Sequence, residues 1–115
     1  MKRIKFTEEN LKRHLNAASY VGESYPVILG RRIHTVRDGM KGEIGDVFFI
    51  EGAGKFVLIS VCTYDAEAFE QLIDNEWWFE GFNSRTEFMQ EIFRIYGEEP
   101  KTYYSHNFLK LNGDD

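Results

Sequence analysis

The side chains with most to offer chemically lie in one stretch, Gly30-Arg31-Arg32-Ile33-His34-Thr35-Val36-Arg37-Asp38. Its alternation has the period of a strand. Ile33, Thr35 and Arg37 then share one face, and Arg32, His34 and Val36 share the other. Three arginines in seven residues can guard an exposed sheet edge against pairing. Yet if Ile33 points inward, so does Arg37. An arginine on an inward face needs an acidic partner or an anionic ligand, because burying it alone is costly. Thr35 would set a hydroxyl beside that cation.

Other chemistry is thinly spread. No serine–histidine–aspartate order, phosphate loop or zinc spacing occurs, so neither metal nor cofactor is expected. His14 reads as an exposed helix residue, and His34 and His106 read as structural residues on strands. Cys62 ends an apolar strand and reads as a small buried hydrophobe. The run Trp77-Trp78-Phe79 can stack on nucleic-acid bases or fill the core.

The elements that must position these groups follow from periodicity and punctuation. Lys2 to Phe6 alternates as a short strand. Thr7 caps a helix that carries Leu11 and Leu15 on one stripe, with Glu8 and Glu9 suiting its positive end. Ala17 to Ser24 reads as a loop, and Tyr25 to Leu29 as a short extended entry. Asp46–Glu51 and Lys55–Tyr64 form strands joined by a tight turn at Gly52-Ala53-Gly54. Asp65 caps a second helix carrying Leu72 and Ile73. Asn75 to Phe82 reads as irregular. Ser84 and Glu87 form a capping box for a third helix, with Phe88, Ile92, Ile95 and Tyr96 on one face and Gly97 at its end. Thr102 to Leu111 is a last strand. Five or six mostly antiparallel strands with two or three helices define an α+β domain. A small β-barrel with flanking helices is the expected architecture.

The pattern Gly30-x-Arg32-x-x-Thr35-x-Arg37, followed by Gly45-Asp46 opening a strand, is similar to the ASCH family, whose pattern is Gly-x-Lys-x-x-Thr/Glu-x-Arg and then Gly-Asp. Phe69-x-x-Leu72, Glu80-Gly81-Phe82-x-Ser84-x-x-Glu87-Phe88, Ile95-Tyr96 and Phe108 in the last strand extend the resemblance over about residues 28–111. It implies a PUA-like β-barrel and a link to RNA binding and metabolism. A small-protein branch includes amidohydrolases that deacylate N4-acetylcytidine. By motif position, that branch's catalytic Lys, Thr and Glu fall on Arg32, Thr35 and Glu80. The resemblance thus implies Thr35 as nucleophile and Glu80 as acid or base. Arg32 departs from the pattern, because an arginine does not give up its proton and cannot act as a base. It can still hold a phosphate or an oxyanion. About twelve residues, Ala18 to Leu29, also separate the first helix from the motif, where the family has none.

Composition bounds the rest. The 115 residues carry a net charge of −5 and make a single domain, 1–115. Nine Lys/Arg against four Asp/Glu lie in residues 1–41, and five against fifteen lie in residues 42–115. The chain therefore has a basic front and an acidic back. That balance argues against coating long nucleic acid but allows a compact anion pocket. One cysteine, no apolar run of membrane length and no leader-like start point to a cytoplasmic protein without membrane association. The expected function is binding of RNA or of a nucleoside or nucleotide, through Arg31, Arg32, Thr35, Arg37, Lys41, Glu80 and one or both of Trp77 and Trp78. Deacylation by Thr35, Glu80 and Arg32 is the alternative. A third possibility is purely structural, with Arg37 paired to Glu80 or Asp46.

Overall fold

The computed structural model describes residues 2–16, 19–21, 25–27 and 32–111. The elements run β1 (Lys2–Arg3), α1 (Glu8–Asn16), β2 (Ser19–Val21), β3 (Tyr25–Val27), β4 (Arg32–Arg37), β5 (Val47–Ile50), β6 (Gly54–Tyr64), α2 (Phe69–Glu76), α3 (Arg85–Tyr96) and β7 (Tyr103–Lys110). A single 3₁₀ turn, Ala66–Ala68, leads into α2. This is an α+β fold. Its main sheet has the order β1-β5-β6-β7-β4, with β1 parallel to β5 and the remaining pairs antiparallel. Strands β2 and β3 pair separately, so part of the expected loop at Ala17–Ser24 is strand instead. Among the described residues no ladder joins the two outer strands, β1 and β4. Arg37 Nη2, at the end of β4, donates to the carbonyl of Lys5, two residues past β1, at 3.1 Å.

Local chemistry sets most element ends. The Thr7 hydroxyl accepts from Asn10 N at 3.1 Å, and Asp65 accepts from Ala68 N at 3.0 Å. Ser84 accepts from Glu87 N at 3.1 Å. Each satisfies a helix-start donor that would otherwise lack a partner. The hairpin after β5 closes with Ala53 N donating to Ile50 O at 2.9 Å.

The sheet carries a core on each face. Ile4, Ile33, Phe48, Ile50, Phe56, Leu58 and Phe108 form one, with Leu11 and Leu15 of α1 packed against it. Val36, Tyr64, Leu72, Ile73, Phe82, Phe88, Ile92 and Tyr103 form the other, between the sheet and α2 and α3. The register of β6 against β7 shifts between Leu58 and Ser60. A bulge adds one residue and so reverses which face the later residues meet. Phe56 and Leu58 therefore belong to the first core, whereas Tyr64 belongs to the second.

Three sequence expectations change here. His14 is buried, at 3% exposure, because α1 lies against β4 and turns that side chain inward. Cys62 is exposed rather than buried, since neither core reaches it. Ile95 is 48% exposed, on the rim of α3 and off its buried stripe.

Candidate functional site

A cleft of about 290 Å³ opens where α1, the end of β4, the turn after α2 and the second half of α3 meet. Its volume is at the lower end of the range for small-molecule sites. It is built around Glu80. The backbone from Trp77 to Phe82 continues the helical winding of α2 and then closes, with Gly81 N donating to Trp78 O at 3.1 Å and Phe82 N to Trp77 O at 3.2 Å. That pair of bonds is a Schellman cap, with Gly81 at φ +85° in its left-handed position. The stretch expected to be irregular is thus an ordered helix terminus. It fixes Glu80 one residue before the glycine.

Glu80 is 3% exposed. Its Oε1 accepts a long bond from Val36 N at 3.4 Å, and its Oε2 has no partner. Burial first, then the neighbouring charge of Glu76, holds its carboxyl well above the ordinary carboxylate range. The cations Arg13 and Arg37 and the Val36 N–H act in the opposite sense without reversing that. Arg13 ties α1 to this turn. Its Nε donates to Glu80 O at 2.9 Å, its Nη1 to Asn10 Oδ1 at 2.7 Å, and its guanidinium lies 4.1 Å over the Phe82 ring. His14 Nε2 faces Arg13 Nη2 at 3.4 Å, and burial holds this imidazole well below its usual range.

On β4, Thr35 is buried, and its Oγ1 accepts from Arg37 Nε at 3.1 Å. The Arg37 guanidinium lies 5.0 Å over the Phe6 ring. His106 holds this strand from behind. Lys41 N donates to its Nε2 at 3.0 Å, so Nδ1 carries the proton and donates to Thr35 O at 3.3 Å. Both ring nitrogens are thereby used structurally, as expected from the sequence. Burial lowers this imidazole's proton affinity as well.

Thr35, Arg37 and Glu80, separated by up to 45 positions in the chain, therefore line one cleft. Arg32 does not line it. It occupies the opposite face of β4 together with His34, whose ring stacks on Phe79 at 4.5 Å. The three-residue step from Arg32 to Thr35 makes that separation unavoidable in a strand. Lys41 contributes its backbone N–H to His106, and its exposed side chain is not part of the lining. Trp77 packs against the second core and Trp78 stacks on Phe79 at 3.8 Å, so neither lines the cleft. Arg31 lies outside the described residues. Asp46 pairs with Lys2 at 2.7 Å, and Arg37 bonds Thr35 and Lys5 rather than a carboxylate.

Sequence reasoning missed Arg13 and His14. The i, i+3 spacing of Asn10 and Arg13 on α1 was the available signal, but only tertiary contact shows which side of α1 is covered. The flat walls come from Phe6, Phe82 and Tyr96. Lys5, Arg13, Arg37 and Arg94 supply positive charge to the lining, against Glu80 and Glu91. Arg94 is bound by Glu91 at 2.7 and 2.8 Å. An adjoining groove adds Glu9 and Glu87 and is acidic on balance. Among the described residues there is no metal-ligating cluster of three and no helix long and apolar enough to cross a membrane. No family model, no curated protein and no solved structure matches this chain.

Proposed function

We propose that the cleft binds the base of a nucleoside or nucleotide, free or at the end of a short RNA strand, and that the domain is a binding module of the PUA-like, ASCH-type barrel class. The observation that carries this reading is the convergence of Thr35, Arg37 and a buried Glu80, whose Oε2 is unpartnered, on one cleft. An orphaned buried carboxyl oxygen is costly unless something hydrogen-bonds to it. A base edge, with donors and acceptors side by side, suits that need. Guanidinium planes and aromatic rings give a base its stacking surfaces, and Arg37 stands where a phosphate would be met. The bond from Arg37, at the end of β4, to the Lys5 carbonyl just past β1 brings the two edges of the open sheet near each other, as the proposed barrel class would need.

Binding is better supported than deacylation. Among the described residues, the Thr35 hydroxyl is bonded to Arg37 and to no carboxylate or imidazole that could take its proton. A Glu80 that keeps its own proton cannot serve as that base. The acidic groove beside the cleft limits the ligand to a mononucleotide or a strand end.

The test is an NMR titration with nucleosides and nucleoside monophosphates at low salt. Amides of Thr35–Arg37 and Glu80–Phe82 are expected to shift. Arg37→Ala is expected to weaken nucleotide binding about tenfold and to reduce its salt dependence. An unchanged spectrum at millimolar nucleotide would overturn the proposal.

A further inference from the structure

Glu80 does not stand alone. Glu80 N donates to Glu76 O at 3.1 Å, so the two residues are one helical turn apart, and both side chains are buried. Their surroundings differ sharply. Glu76 Oε1 accepts from the Ser105 hydroxyl at 2.8 Å, and its Oε2 accepts from the Tyr64 hydroxyl at 2.9 Å. Glu80 has one long bond from Val36 N, and its Oε2 has none. Two neighbouring carboxylates out of water cannot both ionise cheaply. Two hydroxyl donors stabilise an anion at Glu76, and nothing comparable does so at Glu80. The proton that the pair retains therefore resides on Glu80.

We propose that Glu76, although it does not line the cleft, is a positioning residue that keeps Glu80 a neutral carboxylic acid, so that the cleft presents an Oε2–H donor beside the Oε1 acceptor. The charged and titratable groups facing Glu80 fit this. Arg13 and His14 come from α1, Arg37 from β4, Glu91, Arg94 and Tyr96 from α3, and Lys5 from the segment before α1. Arg13 is engaged by Glu80 O and Asn10, Arg37 by Thr35 and Lys5 O, and Arg94 by Glu91. None of these three forms an ion pair with the Glu80 carboxylate, so no salt bridge pulls the proton off. Both carboxyls are shifted upward, Glu80 well above its usual value, with the charge of Glu76 second only to burial among the causes.

The consequence for recognition, which rests on the proposed binding of a base, is a preference for neutral edges that set an acceptor beside a donor. A neutral acid makes two bonds to such an edge. A carboxylate would repel its acceptor.

The first measurement needs no ligand. Carboxyl-carbon NMR titration of the free protein is expected to give Glu80 a higher midpoint than Glu76. Glu76→Gln, which keeps shape and removes the charge while one of the two hydroxyls turns to accept from the amide, is expected to lower the Glu80 proton affinity at least tenfold. Tyr64→Phe, a second route if the first variant does not fold, removes a donor from the Glu76 anion and is expected to raise the Glu76 midpoint toward that of Glu80. An ordinary Glu80 midpoint, a Glu80 midpoint that Glu76→Gln leaves in place, or a Glu76 midpoint that Tyr64→Phe leaves in place, would overturn the proposal. The second measurement uses uridine as a neutral probe. Its affinity is expected to fall above the Glu80 midpoint in the native protein and to stay level with pH in Glu80→Gln, whose carboxamide keeps a donor and an acceptor. Affinity that rises with pH would count against the neutral acid. If uridine binds at no pH, the ligand reading fails while the carboxyl titration still decides the role of Glu76.

Discussion

Gly81→Ala gives the sharpest test of how the cleft is assembled. Gly81 sits at φ +85°, and a Cβ there would lie 2.6 Å from the Arg13 carbonyl oxygen and 2.8 Å from Arg13 Cγ. Gly97, which ends α3, has nearly the same φ of +84°, but a Cβ there would meet nothing within 4 Å. Both backbones disfavour a side chain, by roughly 1–2 kcal/mol at the left-handed Gly81 and by about 1–3 kcal/mol at Gly97, whose ψ of 177° lies in a region essentially reserved to glycine. Only Gly81 adds a collision with backbone. Overpacking of that kind costs about 1–3 kcal/mol, so Gly81→Ala is expected to lose about 2–5 kcal/mol against about 1–3 for Gly97→Ala. Relief requires α1 to move off the turn, which stretches the 2.9 Å bond from Arg13 Nε to Glu80 O and opens the wall of the cleft. Urea unfolding followed by fluorescence of Trp77 and Trp78, which lie in that turn, measures both variants. A Gly81→Ala loss of only about 1–2 kcal/mol, the conformational penalty alone, would refute the close docking of α1 on the Glu80 turn.

Two further outcomes are expected. His34, desolvated against Phe79 and near Arg32, has its pKa pushed down to about 4, so imidazole NMR should show no His34 titration near 6.5. A base whose folded pKa is depressed supports the fold above its unfolded value, and that support is lost as pH falls from about 6.5 toward 4. For this partly covered ring it amounts to roughly 2–3 kcal/mol. A His34 midpoint near 6.5 would refute its burial. Cys62 is exposed, so one thiol per chain should react with a thiol reagent in the native protein. Reaction only after unfolding would show that β6 is covered there.

Much of the fold follows from local chemistry that a sequence displays directly. The caps at Thr7, Asp65 and Ser84, the hairpin around Ala53 and the end of α3 at Gly97 depend on neighbours a few residues away, and the strands β4 to β7 show in side-chain alternation and apolar runs although β4 and β6 pair with a distant β7. The same locality makes Thr35 and Arg37 neighbours on one face of β4, whose bond at 3.1 Å follows from strand pleat alone. Separation of Arg32 from that face is equally a matter of parity. What reaches across the chain was decided by tertiary packing. His14 is buried because α1 lies on β4, although its helix reads as polar on that side. Tyr64 turns toward Glu76 because a bulge near Ile59 reverses the face of β6, and a bulge leaves no clear mark on an alternating pattern. The Trp77–Trp78 run could have stacked on a ligand, but packing used it as structure. Residue type and spacing thus name Thr35, Arg37 and Glu80 as candidates. Only the docking of α1, β4 and the turn after α2 determines that they share one cleft, because burial and charge coupling depend on distances in space and not along the chain.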